Sequence, residues 1–452
     1  MRSFPADLLQ RYGGCVPRYT SYPPATSFTT DVFPEHYAAA LAVRGKQEGP
    51  IGAYVHIPFC KKLCLYCGCS TVITQRQERA DDYVDLLERE ARLVRRHLGD
   101  GRALASLHLG GGSPNFLAAD QLAEVVEIVS EMLALSERTT CSIEINPEQT
   151  SPDFLVAARA LGFSRISFGV QDLEPAVLRC VNRDQAEGKI AEVMATCRAL
   201  GFASISYDLM YGLPLQTPES MRRTVRRVAE LGPDRIALFG YAHVPWMRPH
   251  QRALPEAELP ALAARAELLV SCHTALLEAG YQHIGLDHYA RAADPLAAAA
   301  RDGTLSRSFQ GYDAGAATDV IGLGASAISN VGSLIAQNAA EVGSYRALLA
   351  EGRLPIARGV RASAEDLLRR DAIMSVMCSG KVEWAQLGQR HGIDAQAHFA
   401  PELAALGPMA DDGLLTLDAS GLEATGTGRF FVRTIAHVFD RRSSAARGAP
   451  AI

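Results

Sequence analysis

Neither acidic nor basic residues dominate this sequence. A formal net charge of -5 over 452 residues gives no general attraction to nucleic acid or anionic membranes, so neither is an expected partner. No apolar run reaches the length needed to cross a bilayer. The opening residues, MRSFPADLLQRYGG, lack the basic start, apolar stretch and small-residue cleavage site of a signal peptide, and the cytoplasm is the expected compartment. The first apolar run is not followed by the glycine fingerprint of a dinucleotide-binding turn. A second CxxC pair, the usual mark of a structural zinc site, is also missing.

What is present is ample material for a core, with 48% apolar and 21% charged residues. The length is one at which a large domain with smaller appendages is the usual outcome. Of the ten cysteines, four crowd between Cys60 and Cys69, while Cys15, Cys141, Cys180, Cys197, Cys272 and Cys378 stand singly. In a cytoplasmic chain a tight group reads as metal binding and single ones as small buried residues.

Six short apolar runs organise the first half: AYVHI from Ala53, SLHLG from Ser106, CSIEI from Cys141, RISFGV from Arg165, SISYDL from Ser204 and RIALFGYAHV from Arg235. Segments such as DDYVDLLEREARLVRRHL lie between them, with apolar residues recurring at three and four, and these predict helices. Strand and helix in alternation predict an α/β fold with a parallel sheet and right-handed crossovers. With six units and no dinucleotide fingerprint, a partly closed (β/α)6 barrel is expected rather than a flat sheet. Its functional face lies where strands end and loops begin. Beyond about residue 250 longer helices are expected, with a loop region over 310–324. From about 360 the pattern reads as helices, a hairpin in DGLLTLDASGLEATGTG and a final helix. That order suits a winged helix, but the segment has no basic excess that would favour DNA reading.

The segment from Cys60 through Cys64 and Cys67 to Cys69 directly follows the first strand. Three thiolates spaced four and then three positions apart on one loop can converge on a 4Fe-4S cube and leave its fourth iron without a protein ligand. An open iron is what S-adenosylmethionine (SAM) needs in order to chelate through its amino and carboxylate groups and accept an electron that breaks a carbon–sulfur bond. The competing readings are a zinc knot and inert surface cysteines. Cys69 could be a fourth ligand, a structural thiol or a tuning residue; a non-ligand is expected, because four ligands would block SAM.

Other strand ends carry further candidates. Gly110, Gly111, Gly112, Ser113 and Pro114 follow the second strand, and successive glycines let backbone approach a ligand closely. Glu144 and Asp208 lie near the ends of the third and fifth strands, where buried carboxylates need partners. These could be ligand groups or, alternatively, a neighbouring Arg or Lys. Gln171 and Arg183 flank the exit of the fourth strand, and Ala242 and His243 that of the sixth. No role as catalytic base is assigned to His56, His108, His243 or His288.

Taken together, YVHIPFCKKLCLYCGC, LHLGGGSP, SIEINPE, SFGVQD, VNRDQ, YDLMYGLP, LFGYAHVP and IGLDHYA occur in this order, with RYTSYP ahead of them and FQGYDAGAATDVIGLGASAIS behind. From about Leu9 to Phe439 the chain resembles the oxygen-independent coproporphyrinogen III oxidases, or coproporphyrinogen dehydrogenases, of the radical SAM superfamily. The resemblance implies oxidative decarboxylation of two propionates of coproporphyrinogen III to vinyl groups, giving protoporphyrinogen IX. It also implies one 4Fe-4S cluster on Cys60, Cys64 and Cys67, two SAM molecules, a flavodoxin- or ferredoxin-like electron donor, an electron acceptor, and a monomer. By the same resemblance Tyr54, Gly111, Glu144 and Ile328 would contact the SAM that chelates the cluster. Tyr66, Gly112, Ser113, Gln171, Arg183, Asp208 and Ala242 would line the place of the second. Asn146 and Gly240 depart from the family's common Asp and Asn.

The expected division is an arm over 1–50 that reaches towards substrate, a barrel over 51–250 and a barrel extension over 251–358. A mostly helical, winged-helix-like domain over 359–440 and a disordered tail over 441–452 follow. A haem chaperone on the same scaffold, or a two-SAM methyltransferase or cyclopropanase, would keep the core motifs and change the chemistry.

Overall fold

The computed structural model describes residues 4–309, 311–315, 319–442 and 449–450. The six expected strands all form: β1 (Ile51–Ile57), β2 (Leu104–Gly111), β3 (Thr140–Ile145), β4 (Phe163–Gln171), β5 (Ser204–Tyr211) and β6 (Arg235–Gly240). They pair in parallel in sequence order. The crossovers are the helices α1 (Glu78–Leu98), α2 (Ala119–Met132), α3 (Pro152–Ala160), α4 (Glu187–Ala199) and α5 (Pro218–Leu231). Helix α5 shows how local sequence sets these boundaries: Thr217 caps its N-terminus, Pro218 opens it, and Gly232 at φ +77° ends it in the left-handed region.

The sixth strand is shorter than its apolar run. It stops at Gly240, and the next residue turns its N–H back to Tyr211 O at 2.8 Å. The expectation of longer helices after 250 holds for α6 (Leu262–Glu278) but misses the strands beyond it. These are β7 (Tyr281–Gly285), β8 (His288–Arg291), β9 (Leu305–Ser308), β10 (Gly311–Ala314), β11 (Val320–Leu323), β12 (Ile328–Val331), β13 (Leu334–Asn338) and β14 (Ile356–Arg361). Thus the loop expected over 310–324 contains two strands, while Gln310 and residues 316–318 of it lie outside the described residues. The main sheet runs β7-β8-β6-β5-β4-β3-β2-β1-β11-β12-β13-β14. β11 extends the parallel run beside β1, and the outer strands pair antiparallel. The order has two ends, so the barrel is only partly closed.

After β14, α7 (Ala364–Ser379), α8 (Trp384–His391) and α9 (Ala400–Asp411) accompany a three-stranded sheet of β15 (Lys381–Glu383), β17 (Gly421–Ala424) and β16 (Leu415–Leu417). The last two strands form the expected hairpin. Of the tail, residues 443–448 and 451–452 lie outside the described residues. Arg442 pairs with Asp366 at 2.6 Å, and Ala449–Pro450 bridges to Cys15–Val16.

Period-two alternation separates the two faces of the barrel strands. Val55, Leu107, Ile143, Ile166 and Ile205 are fully buried under the helices. The residues between them, Tyr54, His108, Ser142, Ser167 and Asp208, share the inner face. Helix α1 fixes the rim of that face. Tyr83 donates to His56 O at 2.9 Å and accepts from Ala325 N at 2.8 Å. Buried Glu90 accepts from Tyr345 Oη at 2.5 Å, Asn338 Nδ2 at 2.6 Å and Gly324 N at 2.7 Å.

Burial raises the Glu90 carboxyl to about 7, with these three donors pulling it back down. The folded state therefore holds the Glu90 proton more tightly than the unfolded chain does, and that contribution is present at low pH and lost as pH rises towards 7. Relative to Glu90→Gln, the wild type should lose up to about 3 kcal/mol of stability between pH 5 and pH 8. Urea midpoints at the two pH values test this; parallel shifts in both proteins would refute it.

Candidate functional site

The cysteine loop leaves β1 through Phe59–Cys60, which pairs with Val72–Ile73, and several separate segments hold it. Asn182 Nδ2 donates to Leu63 O at 2.7 Å, Gln251 Nε2 to Tyr66 O at 3.1 Å, and His250 Nε2 bonds Cys67 O at 2.8 Å. Cys60, Cys64 and Cys67 thereby line one cavity of about 170 Å³, together with Cys69. Among the described residues no group of three or more His, Cys, Asp and Glu is placed to hold a single ion. Separate thiols around one cavity suit a multi-iron cluster, in which each thiolate takes its own iron.

The thiols are not alike. The Cys69 thiol and the Cys69 N–H, the latter at 3.4 Å, both bond the Cys67 sulfur and hold its pKa below the ordinary thiol value, helped by His250 and Arg248. Burial pushes the Cys60 thiol up to about 11 against the pull of Ser113, whose Oγ lies 3.6 Å away. Arg183 Nη1 reaches Cys64 Sγ at 3.6 Å and Tyr66 Oη at 3.2 Å.

The smaller cavity also gathers Tyr66, Gly111, Gly112, Ser113, Glu144, Gln171, Arg183 and Asp208. Gly111 sits at φ +113°, where a Cβ would stand 2.5 Å from the His56 ring, and a Cβ on Gly112 would meet Phe59 O at 2.7 Å. Side chains are therefore barred at both positions. Gln171 takes a left-handed φ of +69° as it leaves the strand. Ala242 is not part of this wall; its carbonyl accepts from Gln251 at 3.3 Å, and Gln251 also holds Tyr66.

Tyr54 and Ile328 instead line a second cavity, of about 860 Å³, which Thr20, Ser21 and Tyr22 of the RYTSYP segment, β9 and α7 also line. Glu144 belongs to both walls, and its side chain remains 43% exposed where it opens into them. Register explains the polar strip that reaches it: Tyr54 lies beside His108, and His108 beside Ser142. Accordingly the Tyr54 and His108 rings stack at 5.8 Å, and His108 bonds Ser142 at 2.7 Å and Glu144 at 3.2 Å. Burial pushes the Glu144 carboxyl up, but His108 and the Gly111 N–H outweigh it and keep the pKa below the ordinary value. Asp208 has only Ser167 Oγ at 3.3 Å. Burial, then the nearby Glu144 charge, raise it to about 8. Neither carboxylate forms an ion pair with Lys or Arg among the described residues.

Sequence reasoning named His56 and His108 without giving them a role in the site, and did not name Gln251. His56 joins Tyr54 Oη at 2.9 Å and Ser70 O at 2.9 Å; spacing by two with Tyr54 on one strand was the available signal. Of the two family departures, Asn146 caps the turn Pro147–Gln149 through Glu148 N at 3.2 Å. A Cβ on Gly240 would lie 2.9 Å from Tyr211 Oη, which fills that place instead.

The Radical SAM superfamily pattern matches residues 54–228, and that of the HemN C-terminal domain residues 362–431. The chain is 41% identical over 433 residues to an oxygen-independent coproporphyrinogen III oxidase of Escherichia coli, covering 96% of this chain and 94% of that protein. With the enzyme of that name from Helicobacter pylori it shares 36% over 443 residues, 97% of each chain. The solved structure of coproporphyrinogen III oxidase from Escherichia coli, described as a radical SAM enzyme, superposes with a TM-score of 0.91 at 38% identity, covering 98% of this chain and all of that one. Alike in sequence over almost its whole length and alike in fold, the chain belongs to the oxygen-independent coproporphyrinogen III oxidase family of radical SAM enzymes.

Proposed function

We propose that this chain converts coproporphyrinogen III to protoporphyrinogen IX without oxygen, turning two propionate side chains into vinyl groups for haem synthesis. One observation carries the reading: a thiol-lined cavity and a cavity of about 860 Å³ meet at Glu144, and the larger is within the size range of sites that enclose a cofactor-sized ligand. Cys60, Cys64 and Cys67 would hold a 4Fe-4S cluster, which together with SAM would supply the chemistry for removing a hydrogen atom from the substrate. The hydrogen leaves the propionate carbon next to the pyrrole; one electron and carbon dioxide follow, so a low-potential donor and a separate electron acceptor are both required.

The chain's own groups bind and orient. Glu144, kept anionic by His108 and Gly111, suits an ammonium or ribose hydroxyls, and Tyr54, Gly111 and Ile328 complete the place of the first SAM. Tyr66, Gly112, Ser113, Gln171, Arg183 and Asp208 serve the second, with Ala242 placed through Gln251. The walls of the larger cavity exclude water and oxygen from the reacting carbon. No helix among the described residues is long and apolar enough to cross a membrane, and we assign the chain to the cytoplasm as a monomer.

Cys64→Ser should remove most cluster iron and abolish SAM cleavage, whereas Cys69→Ser should retain the cluster. Iron per chain and the electron paramagnetic spectrum decide, and equal losses would contradict an open iron. Asp208 gains its charge only as pH rises through about 8, and a sulfonium binds the anion better. The SAM affinity of the wild type should therefore rise with pH relative to Asp208→Asn, by up to roughly tenfold over the pH unit below that value. Calorimetric titrations that stay parallel would remove Asp208 from the SAM site.

A further inference from the structure

The larger cavity contains a buried cation whose hydrogen bonds are incomplete, although the Tyr312 ring lies 4.5 Å from its guanidinium. Arg307, on β9, lines it. Its side chain is 2% exposed, and Nε and Nη1 are buried without a hydrogen-bond partner. Asp287 Oδ1 lies 4.0 Å from Nη1, beyond hydrogen-bond reach. Asp287 is also already engaged, at Oδ1 by His288 Nδ1 at 2.6 Å and at Oδ2 by the Arg18 guanidinium. Burial, and then the nearby Arg18 and Arg307, disfavour the charge of Arg433. One buried carboxylate thus faces several cations.

The other basic side chains of the cavity wall have partners of their own. Arg390 pairs with Asp371 at 3.1 Å, Arg370 with the same carboxylate at 3.6 Å, and Lys381 with Glu423 at 2.9 Å. A guanidinium left incomplete in a buried wall is unfavourable until an anion meets it, and its planar fork matches a carboxylate. We propose that Arg307 anchors a propionate carboxylate of the tetrapyrrole and is a positioning residue that sets how the macrocycle lies in the cavity. The proposal rests on the porphyrinogen reading of that cavity.

The test uses the anaerobically prepared, cluster-loaded protein and two fluorescent probes, coproporphyrin III, which carries free propionates, and its tetramethyl ester, which does not. Arg307→Gln should weaken coproporphyrin III binding by roughly 30-fold or more, as expected for loss of a desolvated charge pair, and leave ester binding unchanged. Arg307→Lys should recover part of the loss. Cluster iron should be retained, the thermal midpoint should hold or rise with the incomplete cation gone, and turnover should show KM rising by more than kcat falls. Equal weakening for acid and ester, or a lower midpoint with lost iron, would make Arg307 structural and overturn the assignment. Unchanged coproporphyrin III binding in Arg307→Gln would overturn it while leaving the cavity's substrate intact. A wild type that binds no coproporphyrin III would overturn the substrate reading, and Arg307 with it.

Discussion

Everything at this site depends on how one short cysteine loop is held in shape. Left to itself, a loop of Lys, Leu, Tyr and Gly between cysteines would sample many shapes. Here Asn182, His250 and Gln251, from the segments after β4 and β6, hold its carbonyls at Leu63, Cys67 and Tyr66. Each bond is modest in net terms, about 1 kcal/mol. Their effect is geometric: Cys60, Cys64 and Cys67 line one cavity. The backbone N–H of Cys69 adds a further constraint by bonding Cys67, so that cysteine helps the site without needing to be a ligand.

Around that loop the sheet sorts its side chains by parity. Odd positions such as Ala53 and Val55 of β1 are buried beneath helices, and even positions such as Tyr54 and His56 face inward. Because neighbouring strands are in fixed parallel register, one polar residue per strand builds a continuous strip from Tyr54 through His108 to Glu144. Glu144 is consequently oriented by hydrogen bonds instead of an arginine, and it keeps its charge while opening to both cavities. Asp208, with a single hydroxyl partner, does not.

Much of this was legible in the amino-acid order. The six parallel strands declared themselves because each is an apolar run between helical segments, and the cysteine spacing announced its chemistry on the loop after the first. The strands after residue 250 did not, because LSRS and GYDA of β9 and β10 carry no apolar alternation and are strands only through pairing with one another. Ala242 was grouped with the second SAM site by resemblance, and its carbonyl is tied to Gln251, which also holds Tyr66. The His108–Glu144 bond depends on register, and the incomplete bonding of Arg307 on everything packed around it. Neither kind of fact can be read from one segment at a time.

The RYTSYP segment is tied to residues 437–441. Tyr19 bonds His437 at 2.7 Å and Asp440 at 2.9 Å, and Tyr22 accepts from Arg441 N at 3.1 Å. Tyr22 also lines the larger cavity, so the residues around 437–441 steady a wall of that cavity which they do not themselves line.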